Sequence, residues 1–223
     1  MAINRIPQII YIGNRAFQVR VPRGCPAKDG RPSEWDRILD RIGTANDLLH
    51  WFYVWSWCQE PIYGNTFIEH ATRNIRPASH RVLRGCGSAR SMIVSTNTGR
   101  GAYMGYRPVL EPVDPETMEP DEEVWADIPD GTVIRLGSLY MDNMPLSIPQ
   151  FPTDLGDIPD YIPGAALRIG ETDPHPDKQL RFIKSGHIFI ADRNLLKKVS
   201  WEDLNRNGLI YGDKGSLPIP ARR

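Results

Sequence analysis

Cys25, Cys58 and Cys86, together with a run of carboxylates and carboxamides near residue 205, are the side chains of this 223-residue chain whose types could carry chemistry. A thiol can serve as nucleophile, redox centre or soft metal ligand. The three thiols are widely spaced, with no CxxC pair and no His/Cys cluster at zinc-site spacing. Buried structural thiols are the expectation, kept reduced if the chain folds in a cytosol. Asp203, Asn205, Asn207 and Gly208 spell D-x-N-x-N-G, the first half of a calcium loop. That loop needs a bidentate carboxylate at its twelfth position, which is Lys214, and Asp213 is one residue short. The same residues also read as a helix end and turn, with Trp201, Leu204 and Leu209 packing inward. Asp157, Asp160, Asp173 and Asp177 sit in Pro-rich loops, where nothing pairs two of them as acid and base. His70 and His80 lack a partner pattern. No phosphate-cradling glycine loop, GxSxG or HExxH occurs. No catalytic residue, metal or cofactor is expected.

Composition bounds the class. Forty per cent hydrophobic and 24% charged residues describe an ordinary globular chain, and 20 Pro with 19 Gly favour short strands and turns over long helices. No apolar run reaches membrane-spanning length, and the first residues show no signal-peptide pattern. The net charge is zero, yet residues 1–112 hold 15 basic against 8 acidic side chains, and residues 113–223 hold 12 against 19. Fourteen of the 15 basic residues in the first half are Arg, which favours planar, bidentate or stacked contacts. They can tie loops to carboxylates within the fold, or a basic face can meet an acidic one within the chain or between copies. No Lys-rich run or nucleic-acid motif is present, so nucleic acid is not an expected partner.

The elements that must position these groups follow from local pattern. Residues 8–22 predict a hairpin around Gly13-Asn14. Ser33 predicts a helix N-cap, with Glu34 and Asp36 in the first turn and Trp35, Ile38, Leu39 and Ile42 on one apolar face, ending at Gly43. Alternation of Trp51, Tyr53, Trp55 and Trp57 predicts a strand whose aromatics are core, although they could also form a sugar-stacking platform. Residues 61–80 read as loop. Strands are predicted at 81–83 and 106–110, flanking a polar excursion. Residues 112–130 carry four Pro and eight acids, which makes a linker or extended arm, with Trp125 docking it onto a neighbour. Further strands are predicted at 132–136, 139–141, 166–169, 180–183 and 187–191, with a tight turn at Lys184-Ser185-Gly186. Residues 145–164 read as irregular, and Ser200 as the cap of a helix from 201 to about 207, closed by Gly208.

Four stretches occur in a suggestive order: Glu34-Trp35-Asp36, Trp55–Glu60 with its SWCQE run, RVLRG at 81–85 followed by Ser88-Ala89-Arg90, and GYRPVLE at 105–111. Together, over about residues 14–112, they resemble C-type-lectin-like domains of the formylglycine-generating-enzyme (sulfatase-modifying factor) type, as carried by bacterial and tailed-phage proteins. The resemblance implies a C-type-lectin-like domain at 1–112; with the acidic Pro-rich linker or arm at 113–130 and the β-rich C-terminal domain at 131–223 read from local pattern, the expected class is α+β. The oxidases of that family use a pair of copper-binding cysteines near the final strands. Here Cys86 stands at a Gly position of the RGGS pattern and no second Cys lies within 25 residues, so the fold without that chemistry is expected. Glu60-Pro61-Ile62 and Glu111-Pro112-Val113 lack the amide of the calcium-dependent sugar-binding tripeptides. Arg81, Arg84 and Arg107, inside the matching motifs, are expected to be structural.

These readings converge on a non-enzymatic binding or structural protein, most simply a tailed-phage virion component: a capsid decoration, tail or receptor-binding protein. The alternatives are an oxidase of the formylglycine-generating type and a cytosolic bacterial accessory protein. The expected binding residues are Ser91, Ser95, Thr96, Asn97, Thr98, Arg100 and Tyr103 of the polar loop, with Trp125 of the arm. Expected partners are other virion proteins or further copies of the chain, with a host-surface glycan or protein as a ligand. The expected location is the virion, after synthesis in the host cytoplasm.

Overall fold

The computed structural model describes residues 3–4, 8–27, 29–42, 54–60, 79–86, 88–114, 116–117, 119–121, 125–149 and 154–211. Trp51, Tyr53, His70, Asp213 and Lys214, which entered the readings above, lie outside the described residues. The described chain is β-rich, with two α-helices among the described residues.

The first hairpin pairs β1 (Gln8–Ile12) with β2 (Arg15–Arg20) around Gly13, whose φ of +62° suits the turn. Helix α1 (Glu34–Ile42) starts where expected: Ser33 Oγ accepts the Asp36 N–H at 3.1 Å. Its apolar face buries Trp35, Ile38 and Leu39 against Val109, Ile183, Ile188 and Ile190. Strand β3 (Trp55–Trp57) pairs with β4 (His80–Gly85), which turns back into β5 (Met92–Thr96). The 91–104 stretch is therefore not one excursion. Met92, Ile93 and Val94 are half-buried, and that shielding draws the segment into a strand.

The strand expected at 106–110 is two strands. Strand β6 (Met104–Tyr106) joins β3 and β14 (Leu196–Lys197), whereas β7 (Val109–Val113) joins β2 and β13 (Ile188–Ala191). Pro108 lies at the break and has no N–H to continue the ladder. Gly105 is pinched where β6 crosses: a Cβ there would lie 2.7 Å from the Leu196 carbonyl oxygen and 2.6 Å from Val54 Cγ1.

The later stretch supplies β8 (Val133–Arg135), β9 (Ser138–Met141), β10 (Met144–Pro145), β11 (Leu167–Gly170), β12 (Arg181–Ser185) and α2 (Trp201–Arg206). The sheets run β1-β2-β7-β13-β12-β8, β10-β9-β11 and β14-β6-β3-β4-β5. Strands from before and after residues 113–130 thus share two sheets, β7 pairing with β13 in one and β6 with β14 in the other, over one large core containing Phe17, Trp57, Leu110, Phe182, Phe189 and Trp201. Trp57 Nε1 donates to the Val199 carbonyl and Trp201 Nε1 to the Cys58 carbonyl, so these indoles are core with satisfied N–H groups.

The acidic segment departs from the extended-arm reading. Val113 bridges Pro120, and Asp114 N donates to the Glu119 carbonyl, making a small turn-back. Trp125 does not point away from its own chain. Its ring stands edge-on to Phe189 at 5.3 Å and 6.3 Å from Phe17, so the apolar pressure expected to seek a neighbour is satisfied by the core of the same chain. Val124 lies outside the described residues.

Candidate binding cleft beside the β4–β5 hairpin

The first half's arginines are set by buried carboxylates. Arg20 is fully buried on β2; its two terminal nitrogens donate to Glu34 at 2.8 and 2.6 Å, and Nε donates to Glu111 at 3.1 Å. Burial works against this guanidinium's charge, but the two carboxylates outweigh it and hold the charge more firmly than usual. Burial likewise pushes the Glu34 carboxyl up, and Arg20 more than reverses it. Glu111 is drawn down to about 2 against its burial by Arg20 and by His187, whose Nε2 lies 3.3 Å away. This knot fastens α1 to β2 and β7.

Arg84, on β4, reaches the first turn of α1. One terminal nitrogen donates to Asp36, and the other to the Gly24 carbonyl at 3.2 Å. The carboxylate-bridging role expected for Arg84 is therefore what its geometry provides. Arg81 and Arg107 are buried differently, over indole faces: Arg81 lies 4.3 Å from the Trp201 ring and Arg107 5.7 Å from Trp35. Burial pulls Arg107 down to about 9, opposed by Asp192, so it stays charged at neutral pH.

Above this frame opens a cleft of about 480 Å³, lined by Asp36, Trp55, Arg84, Arg90, Ser91, Met92 and Ile93. Its volume falls in the range of small-ligand sites, roughly 300–1,000 Å³. Trp55, Met92 and Ile93 are half-buried and give an apolar floor, while Asp36, Arg90 and Ser91 offer donors and acceptors at the rim. Arg90, 51% exposed, bonds Asp40 at 2.7 Å and lies 3.8 Å from Asp36. Exposed pairs of this kind are worth little, so the guanidinium is available to another acceptor.

Of the expected binding residues, Ser91 lines the cleft and Ser95, Thr96, Asn97, Thr98, Arg100 and Tyr103 follow along the end of β5 and the β5–β6 loop. That loop is anchored. Arg100 donates twice to Asp203, both at 2.7 Å; Asn97 N donates to the Ser79 carbonyl and Glu202 N to the Asn97 carbonyl. Arg100 is thus a clamp as well as a surface group, and Tyr103 stands 55% exposed beyond it. Trp125 is not brought to this place. The cleft's Asp36, Trp55 and Arg84 belong to the motif stretches read as scaffold. Arg90 closes the Ser88-Ala89-Arg90 run that follows RVLRG, which is likewise read for the fold and not as a binding residue.

The D-x-N-x-N-G run is a helix cap and turn. Asp203 Oδ2 accepts from Ser200 N and Oγ in a capping box; Asn205 Oδ1 accepts from Asn4 N and Asn207 Oδ1 from Leu167 N. Gly208 follows at φ +71°. Burial pushes the Asp203 carboxyl up, and its bonds to Arg100 and Ser200 bring it net below the usual range. Cys86 follows Gly85 through left-handed backbone at φ +59°, a conformation that a side chain with a Cβ rarely adopts. Burial raises its thiol, and raises that of Cys58 further.

No family model, curated protein or solved structure matches this chain.

Proposed function

We propose that the protein is a non-enzymatic binding and assembly module, a tailed-phage virion component built on a C-type-lectin-like scaffold. The observation that carries a binding role is the clamped polar loop. Arg100–Asp203 and the Asn97–Glu202 backbone bond hold residues 97–103 against α2, beside a cleft with an apolar floor and a polar rim. A loop fixed before it meets a partner loses less entropy on binding, which is how rigid scaffolds use exposed loops. The virion assignment rests on the motif order at residues 34–36, 56–60, 81–85 and 105–111. The oxidase reading is less supported, because an attacking thiol needs a lowered pKa and burial moves both Cys58 and Cys86 the other way.

The test is composition of purified particles by mass spectrometry, paired with a Tyr103→Ala, Thr98→Ala variant. The chain should be found in particles at structural copy number. The variant should keep its melting temperature but lose incorporation or host adsorption. Absence from particles removes the virion assignment; normal incorporation and adsorption by the variant removes the loop from the binding role.

A further inference from the structure

Cys58 and Cys25 meet in a small cluster of their own. Cys58 is fully buried with Val82, and Cys25, Met92 and Val94 pack against that pair, Cys25 only partly covered. The residue before Cys25 makes room for the sulfur: a Cβ on Gly24 would lie 2.3 Å from Cys58 Sγ and 2.9 Å from Cys58 Cβ. The Gly24 backbone therefore rests on the Cys58 side chain, and Cys25 is one peptide further on. The loop carrying Cys25 is held there by three bonds: Gly24 N to Glu60 at 3.0 Å, Arg84 to the Gly24 carbonyl, and Gln59 N to the Pro22 carbonyl at 3.1 Å. Both cysteines are reduced thiols.

We propose that Cys25 and Cys58 are a thiol-oxidation site that closes to a reversible intramolecular disulfide, stapling the β2–α1 loop to β3. The oxidant is a peroxide. The partly exposed Cys25 thiolate attacks one peroxide oxygen, the O–O bond breaks, and Cys25 becomes a sulfenic acid with release of hydroxide. Cys58 then attacks the Cys25 sulfur, the S–O bond breaks, and hydroxide leaves with the Cys58 proton as water. In sum, two thiols and one hydrogen peroxide give one disulfide and two waters. Burial, with Glu60 next in weight, favours the protonated form of Cys58; the partly exposed Cys25 therefore meets the peroxide first, and Cys58 resolves the sulfenic acid only as its proton passes to the departing hydroxyl. The site needs no assumption about what the cleft binds.

The experiment uses the full chain carrying Cys86→Ser, so that only this pair remains. Folded protein is exposed to millimolar hydrogen peroxide, alkylated without reductant, and weighed and peptide-mapped. The expected result is a monomer lighter by the two thiol hydrogens, a linked peptide joining residues 25 and 58, and reversal by dithiothreitol. Closing a loop of about thirty residues should also raise the melting temperature by roughly 5–10 °C. Cys25→Ser should abolish the mass loss and that rise together. The proposal is overturned if folded protein yields no internal link, if the thiols are carried instead to sulfinic acid or to disulfide-joined dimers, or if oxidation lowers the melting temperature.

Discussion

Arg84 joins three things at once: the Asp36 carboxylate, the Gly24 carbonyl and, at 3.6 Å, the Met92 sulfur. Only a planar fork with several N–H groups serves all of them, so Arg84→Lys should lower stability by about 1–3 kcal/mol in urea unfolding; an unchanged midpoint would remove Arg84 from the frame. A pH effect follows from two carboxylates shifted in opposite directions. Burial, with the charge of Glu34 adding to it and the Gly24 N–H opposing, lifts Glu60 from an ordinary value near 4.5 to about 7. Its folded state binds the proton more tightly. That contribution is complete below about pH 4.5 and is lost as pH rises through 7. Glu111, drawn to about 2, contributes stability above about pH 4.5 that disappears as pH falls toward 2. Stability should therefore peak on the mildly acidic side, near pH 5, and Glu60→Gln should flatten the decline between pH 5 and 8 while leaving the acid limb. Urea midpoints from pH 3 to 8 check both limbs.

At the scale of elements, what could be read in advance was whatever a few neighbouring residues decide. Gly13-Asn14 sets the hairpin, Ser33 and Ser200 start the helices, and Gly208 ends one, because caps and turns are local chemistry. Pairing partners were not legible. Nothing near Val109 says that β13, some eighty residues later, lies beside it, and nothing near Arg20 names Glu34 and Glu111. The split at Pro108 was written in the sequence, but its effect depends on two sheets competing for the strand. Half the cleft sat in motifs recognised as scaffold, since a residue that bears on the fold and also lines a cleft looks the same in one dimension. Gly105 tests the crossing of β6 directly. Gly105→Ala places a methyl group against a backbone carbonyl that cannot rotate away, and should cost about 3 kcal/mol, with β14 released from β6. Faster exchange of the Leu196 and Lys197 amides would report it; a wild-type melting curve would contradict it.

For the whole molecule, Trp125 decides how the acidic segment is used. Its ring against Phe17 and Phe189 seats Trp125 on the central sheet, so Trp125→Ala should destabilise the isolated chain by about 2–3 kcal/mol. Size-exclusion and thermal unfolding of the purified chain separate this from a purely intermolecular role: a stable variant that only fails to assemble would restore the docking arm. The charge asymmetry of the two halves is partly used within the chain as well, as Arg100 of the basic half holding Asp203 of the acidic half shows.

The order β1-β2-β7-β13-β12-β8 has a consequence for biosynthesis. β7 waits for a neighbour that ends at Ala191, and the Gln8 and Val21 amides bond the carbonyls of Gly208 and Ile210. A nascent chain thus holds β1, β2 and β7 together, with the far edge of β7 and the Gln8 and Val21 amides unpartnered until residues 188–210 have emerged. Completion of this sheet then waits for residues near 191 and 210, with many distant contacts made late and slowly. Premature termination anywhere before residue 190 leaves an open strand edge rather than a smaller working protein, and such fragments are material for proteases. A pulse-labelled time course with limited proteolysis should show resistance arriving in one step once residues up to about 210 have emerged.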